Sequence, residues 1–468
     1  MKSFISYILF LSLFGLNAFS QNKQIIIPEI DSLIQSKIKE GAPGVVIGVI
    51  KNGAFVHKKA YGLANLDYDI PLTTSSVFRI ASTSKQFTAA SIILLEQQGK
   101  INLNDDIRKY LNDFPFYGDT IRIKHLIYHT SGLRDYTGLM YLCGLEDDYP
   151  YTPKDLYQLI IRQKGLDFEP GTQFSYSNTG YFLLSKIVES KTGSSLNTYA
   201  KDNLFIPLEM KNTHFHDNHK LIVKNRAYGY SFGKDTYEIA MSNNDIVGDG
   251  GIFTTLDDLK LWDDNFYSHK VGGIGWYKKM VTPGELNDKS TIPYAGGLFI
   301  RTFRGLKKIN HTGWYAGFKS SIAQYPEEKT TIIILANSPD LEPPILTNQI
   351  AEIVLSNKLT PRTSSEKRKG NDNLENKPPS ETPKEIMEAL VGDYYSQELN
   401  FKYQIFIKEG NLACKIGNNK MMQLQYINKD LFMVDEYVSL IPKWEKENLI
   451  SSFSLSVGDS KNIWFKRI

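Results

Sequence analysis

The sequence predicts an α+β domain, an antiparallel sheet flanked by helices, followed by a separate small all-β domain. Three observations carry this expectation. Residues 45–50 and 54–61 are strand-like runs on either side of Asn52-Gly53, a dipeptide suited to the positive φ angles of a tight hairpin. Residues 307–310, 318–325 and 331–335 are strand-like as well, so one sheet would draw on both ends of the first domain. Residues 358–384 then turn polar and charged without apolar periodicity, and short alternating runs separated by turn residues follow. A chain of 468 residues is too long for one ordinary core.

Taken in order, the chain opens with Lys2, an apolar run over residues 4–16 and the polar segment 17–21. That pattern reads as a secretory signal over residues 1–20, and implies a secreted or periplasmic protein. A retained signal anchor is the alternative, although the run is short for a membrane span; no span is expected after signal removal. Past the hairpin, Phe87, Ala90, Ser91, Leu94 and Leu95 mark one buried helical stripe, and Gly99 supplies a left-handed stop. Ser82 therefore falls at a helix N-terminus with Lys85 one turn along on the same face. A buried ammonium there would lose proton affinity, which makes the pair a candidate nucleophile and base. Ser-x-x-Lys fixes only two positions and recurs by chance, so other elements must support it. Tyr176-Ser177-Asn178 reads as a loop entering a helix, and His311-Thr312-Gly313 ends a strand-like segment.

Five motifs in order sharpen the reading: RIASTSKQFTA (79–89), YHTSGLRDY (128–136), PGTQFSYSNTGY (170–181), GDGGIFTTLDDL (248–259) and NHTGWYAGF (310–318). Over residues 27–356 the chain resembles the serine β-lactamase-related family, which contains class C β-lactamases, DD-peptidases and related esterases. The resemblance implies a sheet domain with an inserted helical subdomain and a site between them. It implies that Ser82 attacks a carbonyl and carries the acyl group, and that Lys85 takes or relays its proton. Tyr176 would serve as base or acid, provided neighbouring lysine charge lowers its phenol pKa. Asn178 would hold Lys85 and a substrate amide, the Ser82 and Trp314 N–H groups would form an oxyanion hole, and Gly313 would let substrate lie against the strand edge. His311 departs from the lysine of the β-lactamases; a histidine is mostly neutral at pH 7, so its attraction for a substrate carboxylate is weaker and pH-dependent.

Together with the N-terminal signal pattern, the resemblance implies an exported serine hydrolase acting through a Ser82 acyl-enzyme on D-amino-acid peptides, including cell-wall peptides, on small esters or on β-lactam-like amides. The alternative is a catalytically weak penicillin-binding or ligand-binding sensor on the same fold. A net charge of +3 argues against nucleic acid as a partner. No cofactor or metal is expected: His214, His216 and His219 match no zinc spacing, and the resemblance places them in a surface loop. His129-Thr130-Ser131-Gly132 is read as a turn packed under the site, and residues 248–251 as close backbone packing rather than a nucleotide loop. Cys143 and Cys414 fall in different predicted domains and are read as packed, unpaired residues. The boundaries expected are 21–357 for the hydrolase domain, 358–384 for a linker and 385–468 for the β domain. That last domain resembles the lipocalin-like unit often appended to this family; it would cover the active-site mouth, bind a partner or stabilise the enzyme, the last being the default.

Overall fold

The computed structural model describes residues 26–145, 150–361, 381–416, 420–446 and 449–468. The expected signal segment 1–20 and most of the expected linker lie outside these residues. The first domain is built on a six-stranded antiparallel sheet. Its strands are β1 (Val45–Lys51), β2 (Ala54–Tyr61), β3 (Phe299–Phe303), β4 (Leu306–Tyr315), β5 (Phe318–Tyr325) and β6 (Thr330–Ala336), in the order β3-β4-β5-β6-β1-β2. Asn52 and Gly53 close the β1–β2 hairpin at φ 50° and 77°, the sterically demanding conformation that the dipeptide suits. Both ends of the domain meet where Val45 pairs with Ala336 and Lys51 with Thr330.

Alternation along the strands sends side chains to two layers. Val45, Ile47 and Val49 join Ile332 and Ile334 against Ile30, Ile34, Leu346 and Ile350 of helices Pro28–Gln35 and Pro343–Val354. Val46 and Ile50 face the other layer with Ile333, Leu335, Phe87 and Leu256. Helix Leu256–Ser268 sits so close there that a Cβ at Gly48 would lie 2.6 Å from Leu256 Cδ1. Between the sheet ends the chain forms a helical region that includes Ile123–Ile127, Tyr136–Leu142, Pro153–Ile161 and Asn178–Thr192.

The helix predicted after Ser82 spans Lys85–Gln97, but it has no exposed face until its last turn. Every residue from Lys85 to Leu95 is buried. Sheet and helical region enclose it from opposite sides, so the stripe legible in the sequence is one part of a helix buried all round. His311 also differs in placement: β4 runs on to Tyr315, so the histidine lies within the strand and not at its end. His214 and His216 depart from the expected surface loop, because His214–Phe215 pairs with Ile252–Thr254 and His216 is buried.

The C-terminal domain is a nine-stranded antiparallel sheet preceded by helix Lys384–Leu390. Its two edge strands, Lys420–Gln423 and Gln425–Asn428, are separated by Leu424 alone, so the sheet nearly closes on itself. It docks on the helical region through apolar packing, with Val457 against Gly138 and Ile416 against Gly144, and through polar anchors. Buried Arg134 donates to Glu398 Oε1 at 2.5 Å and to the Asn462 carbonyl at 3.0 Å, while the Tyr403 hydroxyl reaches the Leu142 carbonyl at 2.6 Å. Cys143 and Cys414 are free and buried, each thiol pushed up to about 12 by burial.

Candidate active site

A short 3-10 turn, Ala81–Ser84, delivers Ser82 to the head of helix Lys85–Gln97. Side chains tether this turn to its surroundings: Ser320 Oγ donates to the Ile80 carbonyl at 2.7 Å, Thr83 Oγ1 lies 2.8 Å from Ser320 Oγ, and Ser84 Oγ accepts the Ile252 N–H at 3.1 Å. Ala81 is held at φ 47°, a left-handed conformation that costs a non-glycine residue about 1 kcal/mol or more. The tethers offset that cost and fix the direction of the Ser82 side chain.

Lys85 is fully buried. Its Nζ donates to Asn178 Oδ1 and to the Asp249 carbonyl, both at 2.7 Å, and stands 3.2 Å from Ser82 Oγ. Burial lowers its pKa to about 8 against the opposing pull of the Asp249 and Asp135 carboxylates. Two acceptors take two N–H bonds; an amine that has lost its third proton keeps a lone pair for the direction of Ser82 Oγ. The arrangement suits a neutral lysine that removes the serine proton.

Tyr176-Ser177 leads into helix Asn178–Thr192, as the sequence predicts. The Tyr176 ring lies 4.3 Å from the ring of His129, whose Nδ1 accepts the Ser177 N–H at 3.0 Å. The turn around His129 therefore supports the Tyr-x-Asn segment from beneath. Lys85 Nζ stands 4.8 Å from the Tyr176 ring centroid. The expectation that lysine charge lowers the phenol pKa is nevertheless overturned. Burial pushes that pKa well up, nearby Asp249 and Asp135 carboxylates add to it, and the Ser82 hydrogen bond offsets only part. Tyr176 is a protonated phenol at neutral pH, equipped to donate.

His311 is buried, with Nε2 placed 3.0 Å from the Tyr294 hydroxyl and Nδ1 placed 2.7 Å from the Thr312 carbonyl. A carbonyl can only accept, so Nδ1 carries the proton and Nε2 accepts from Tyr294. Burial, helped by the nearby Lys85 charge, lowers the pKa to about 3. The expected pH-dependent charge is thus absent across ordinary pH, and the ring is a fixed neutral hydrogen-bonding element. Gly313 also has a structural reason beyond the one expected. A Cβ there would come 2.2 Å from the Ile80 carbonyl and 3.0 Å from Ala81 Cβ, so the missing side chain lets β4 approach the nucleophile turn. Residues 311–315 extend beyond the pairing of β4 with β3, which ends at Asn310, and Trp314 there is 77% exposed.

Two cavities meet this centre. The first, about 310 Å³, is lined by Ser82, Asn178 and Trp314 together with Arg79, Asp249 and Tyr315. The second, about 420 Å³, is lined by Tyr176, Asp135 and Tyr141 and, from the C-terminal domain, by Tyr437, Asp459 and Ser460. The default role of that domain as a stabiliser is therefore incomplete, because it forms a wall beside Tyr176.

Several site residues escaped the sequence reading. Asp135 accepts the Asn178 N–H and so orients the amide that holds Lys85. Its place in the motif 128–136 was the available signal. Asp249 acts on Lys85 through its peptide carbonyl, a contact any residue type could make. The glycines around it do show close packing: Gly248 is at φ 112°, and a Cβ there would lie 2.5 Å from the Tyr181 carbonyl.

The fold and this Ser-Lys centre define a class that comparison makes specific. The family model described as Beta-lactamase matches residues 30–355, and the chain belongs to that family. A penicillin-binding protein of Bacillus subtilis is 31% identical over 62% of this chain and 67% of its own length. A D-aminopeptidase of Brucella anthropi is 30% identical over 63% of this chain and 56% of its own length. The chain thus spans between about half and two thirds of these relatives. The octameric penicillin-binding protein homologue from Pyrococcus abyssi shares the fold across both domains, with a TM-score of 0.64 and 22% identity over 94% of this chain and 99% of that one.

Proposed function

We propose that this protein is an exported serine hydrolase that forms an acyl-enzyme at Ser82 with amides or esters of small acyl groups, D-amino-acid peptides among them. The observation that carries the reading is the Lys85 geometry, with Asn178 and Asp249 holding the amine 3.2 Å from Ser82 Oγ. In acylation, Ser82 Oγ bonds to the substrate carbonyl carbon while its proton passes to Lys85 Nζ. The developing oxyanion turns toward the Ser82 and Trp314 N–H groups. Collapse breaks the bond to the leaving amine or alkoxide, which takes a proton from the protonated phenol of Tyr176 or from Lys85. Water then attacks the ester, its proton returning through the same groups, and Ser82 is released.

A penicillin-binding protein and a D-aminopeptidase among the relatives support amide substrates. His311 works against efficient β-lactam turnover, because a neutral ring with both nitrogens engaged offers no charge to a substrate carboxylate. The test is intact mass after incubation with a fluorophosphonate and with a penicillin, beside turnover of p-nitrophenyl acetate, D-alanine p-nitroanilide and nitrocefin. The expected result is an adduct on Ser82 that Ser82→Ala lacks, measurable amide or ester turnover, and slow or absent nitrocefin hydrolysis. A well-folded protein with neither adduct nor turnover would instead be a binding protein on this fold.

A further inference from the structure

Arg79 is the last residue of the short strand Phe78–Arg79, three positions before the nucleophile, and it lines the Ser82 cavity. It is 6% exposed. Its guanidinium lies 4.7 Å from the centroid of the Tyr315 ring, within cation–π range. Its Nε is buried without a hydrogen-bond partner, and among the described residues its side chain makes neither a hydrogen bond nor an ion pair. A guanidinium is never neutral in a protein, and burying one without a partner is costly. Among the described residues the only carboxylate lining that cavity is Asp249, whose Oδ2 accepts the Tyr136 hydroxyl at 2.6 Å. Elsewhere the chain does pair its buried arginine, as at Arg134 with Glu398. Arg79 is the exception, and it is the one placed in the cavity with the nucleophile.

The two cavities divide the substrate. On the reading above, Ser82, Trp314 and Asn178 line the first and would take the acyl half; Tyr176, one of the two proposed donors to the leaving group, lines the second. We infer that Arg79 is an anion-binding residue of the acyl subsite, so that preferred substrates carry a carboxylate on the acyl half, as in an amide of an acidic amino acid. This rests on the hydrolase reading above and deepens it. A carboxylate matches the fork of a guanidinium and replaces water with a charge-assisted, two-point contact. The charge absent at His311 is thereby supplied by a residue packed on Tyr315 of the same strand, toward the acyl group.

The test compares D-glutamic acid α-p-nitroanilide with its neutral isostere, D-glutamine α-p-nitroanilide, in wild type, Arg79→Gln and Arg79→Lys. Wild type should prefer the anionic substrate by about tenfold or more in kcat/KM, mainly through KM. Arg79→Gln should bring the ratio to unity or below, with Arg79→Lys between them. Equal or better turnover of the neutral anilide by wild type overturns the subsite and leaves the hydrolase intact; this wild-type ratio decides even where a variant fails to fold. Binding is read separately as thermal stabilisation by glutarate against glutaramide. Without turnover or a Ser82 adduct the hydrolase reading fails, and the anion site then stands only if glutarate alone stabilises the wild type. No stabilisation in that case overturns it as well.

Discussion

The two halves of the cleft are built on different plans. The Ser82 half is lined by the first domain, with the nucleophile turn, the Asn178 helix and β4 each contributing. On the Tyr176 half, Leu133, Asp135 and Tyr141 of the helical region face Tyr437 and residues 457–460 of the C-terminal domain. One half is thus set by the core of a domain and the other by docking between domains. Cores are specified by many apolar contacts, whereas this docking adds a few buried polar pairs to an apolar seam that joins the two domains in one buried cluster. The first half should therefore resist single substitutions that the second does not.

The largest expected effect is at the chemical centre. Lys85→Met removes the base while keeping an apolar stem in a buried site, and should lower kcat/KM by about 10³-fold. Little loss in an acylation assay would shift the base to another group. Next is Arg134→Ala, which leaves Glu398 buried without its cation and should cost about 3–5 kcal/mol. Denaturant unfolding with a probe in each domain would show whether the Tyr176 wall loosens before the Ser82 half. Coincident loss of both would contradict the division. Gly313→Ala sets a Cβ against the Ile80 carbonyl and should cost about 1–3 kcal/mol while displacing the nucleophile turn.

A pH profile separates the halves more gently. Lys85 falls from 10.5 to about 8 on folding, so kcat/KM should rise with pH through a midpoint near 8. The same shift makes the unfolded chain bind more protons between about pH 8 and 10.5, so this group's penalty is fully present below that window and relieved across it. Neither effect has a counterpart from His311 between pH 4 and 7; a limb there would assign its charge a role. Smallest is Ser460→Ala. The Ser460 hydroxyl accepts the Asp135 N–H at 3.0 Å, and Asp135 in turn holds Asn178. Its loss should cost about 1 kcal/mol, with a few-fold fall in kcat that Ser460→Thr restores.

How much could be read from the sequence follows the same division. Ser82, Lys85 and the hairpin at Asn52-Gly53 were legible because spacing along one chain segment sets their geometry, whereas the contact of Asn178 with Lys85, 93 residues away in sequence, was expected only from the family resemblance. Tyr176 was found, but the direction of its pKa was not, since burial by His129, Tyr294 and Phe299 outweighs the adjacent lysine. Gly313 was found, but its packing against Ile80 was not, because the backbone it accommodates there lies more than 230 residues away in sequence. Asp459 and Ser460 carried no signal at all: polar turn residues of a β domain acquire meaning only through docking. Arg134 and Glu398, likewise, are ordinary surface types until the interface buries them.

The pairing of β1 with β6 has a consequence in time. Val45 waits for Ala336, and Gly313 and Ser320 brace the nucleophile turn from strands synthesised long after Ser82. A chain emerging at about 5–20 residues per second therefore carries its serine and lysine for more than ten seconds before the sheet that aims them can close. Through that interval the pair has no reactive geometry. Latency during synthesis is thus a by-product of topology, requiring no inhibitory segment, and any product truncated before β6 would be inert.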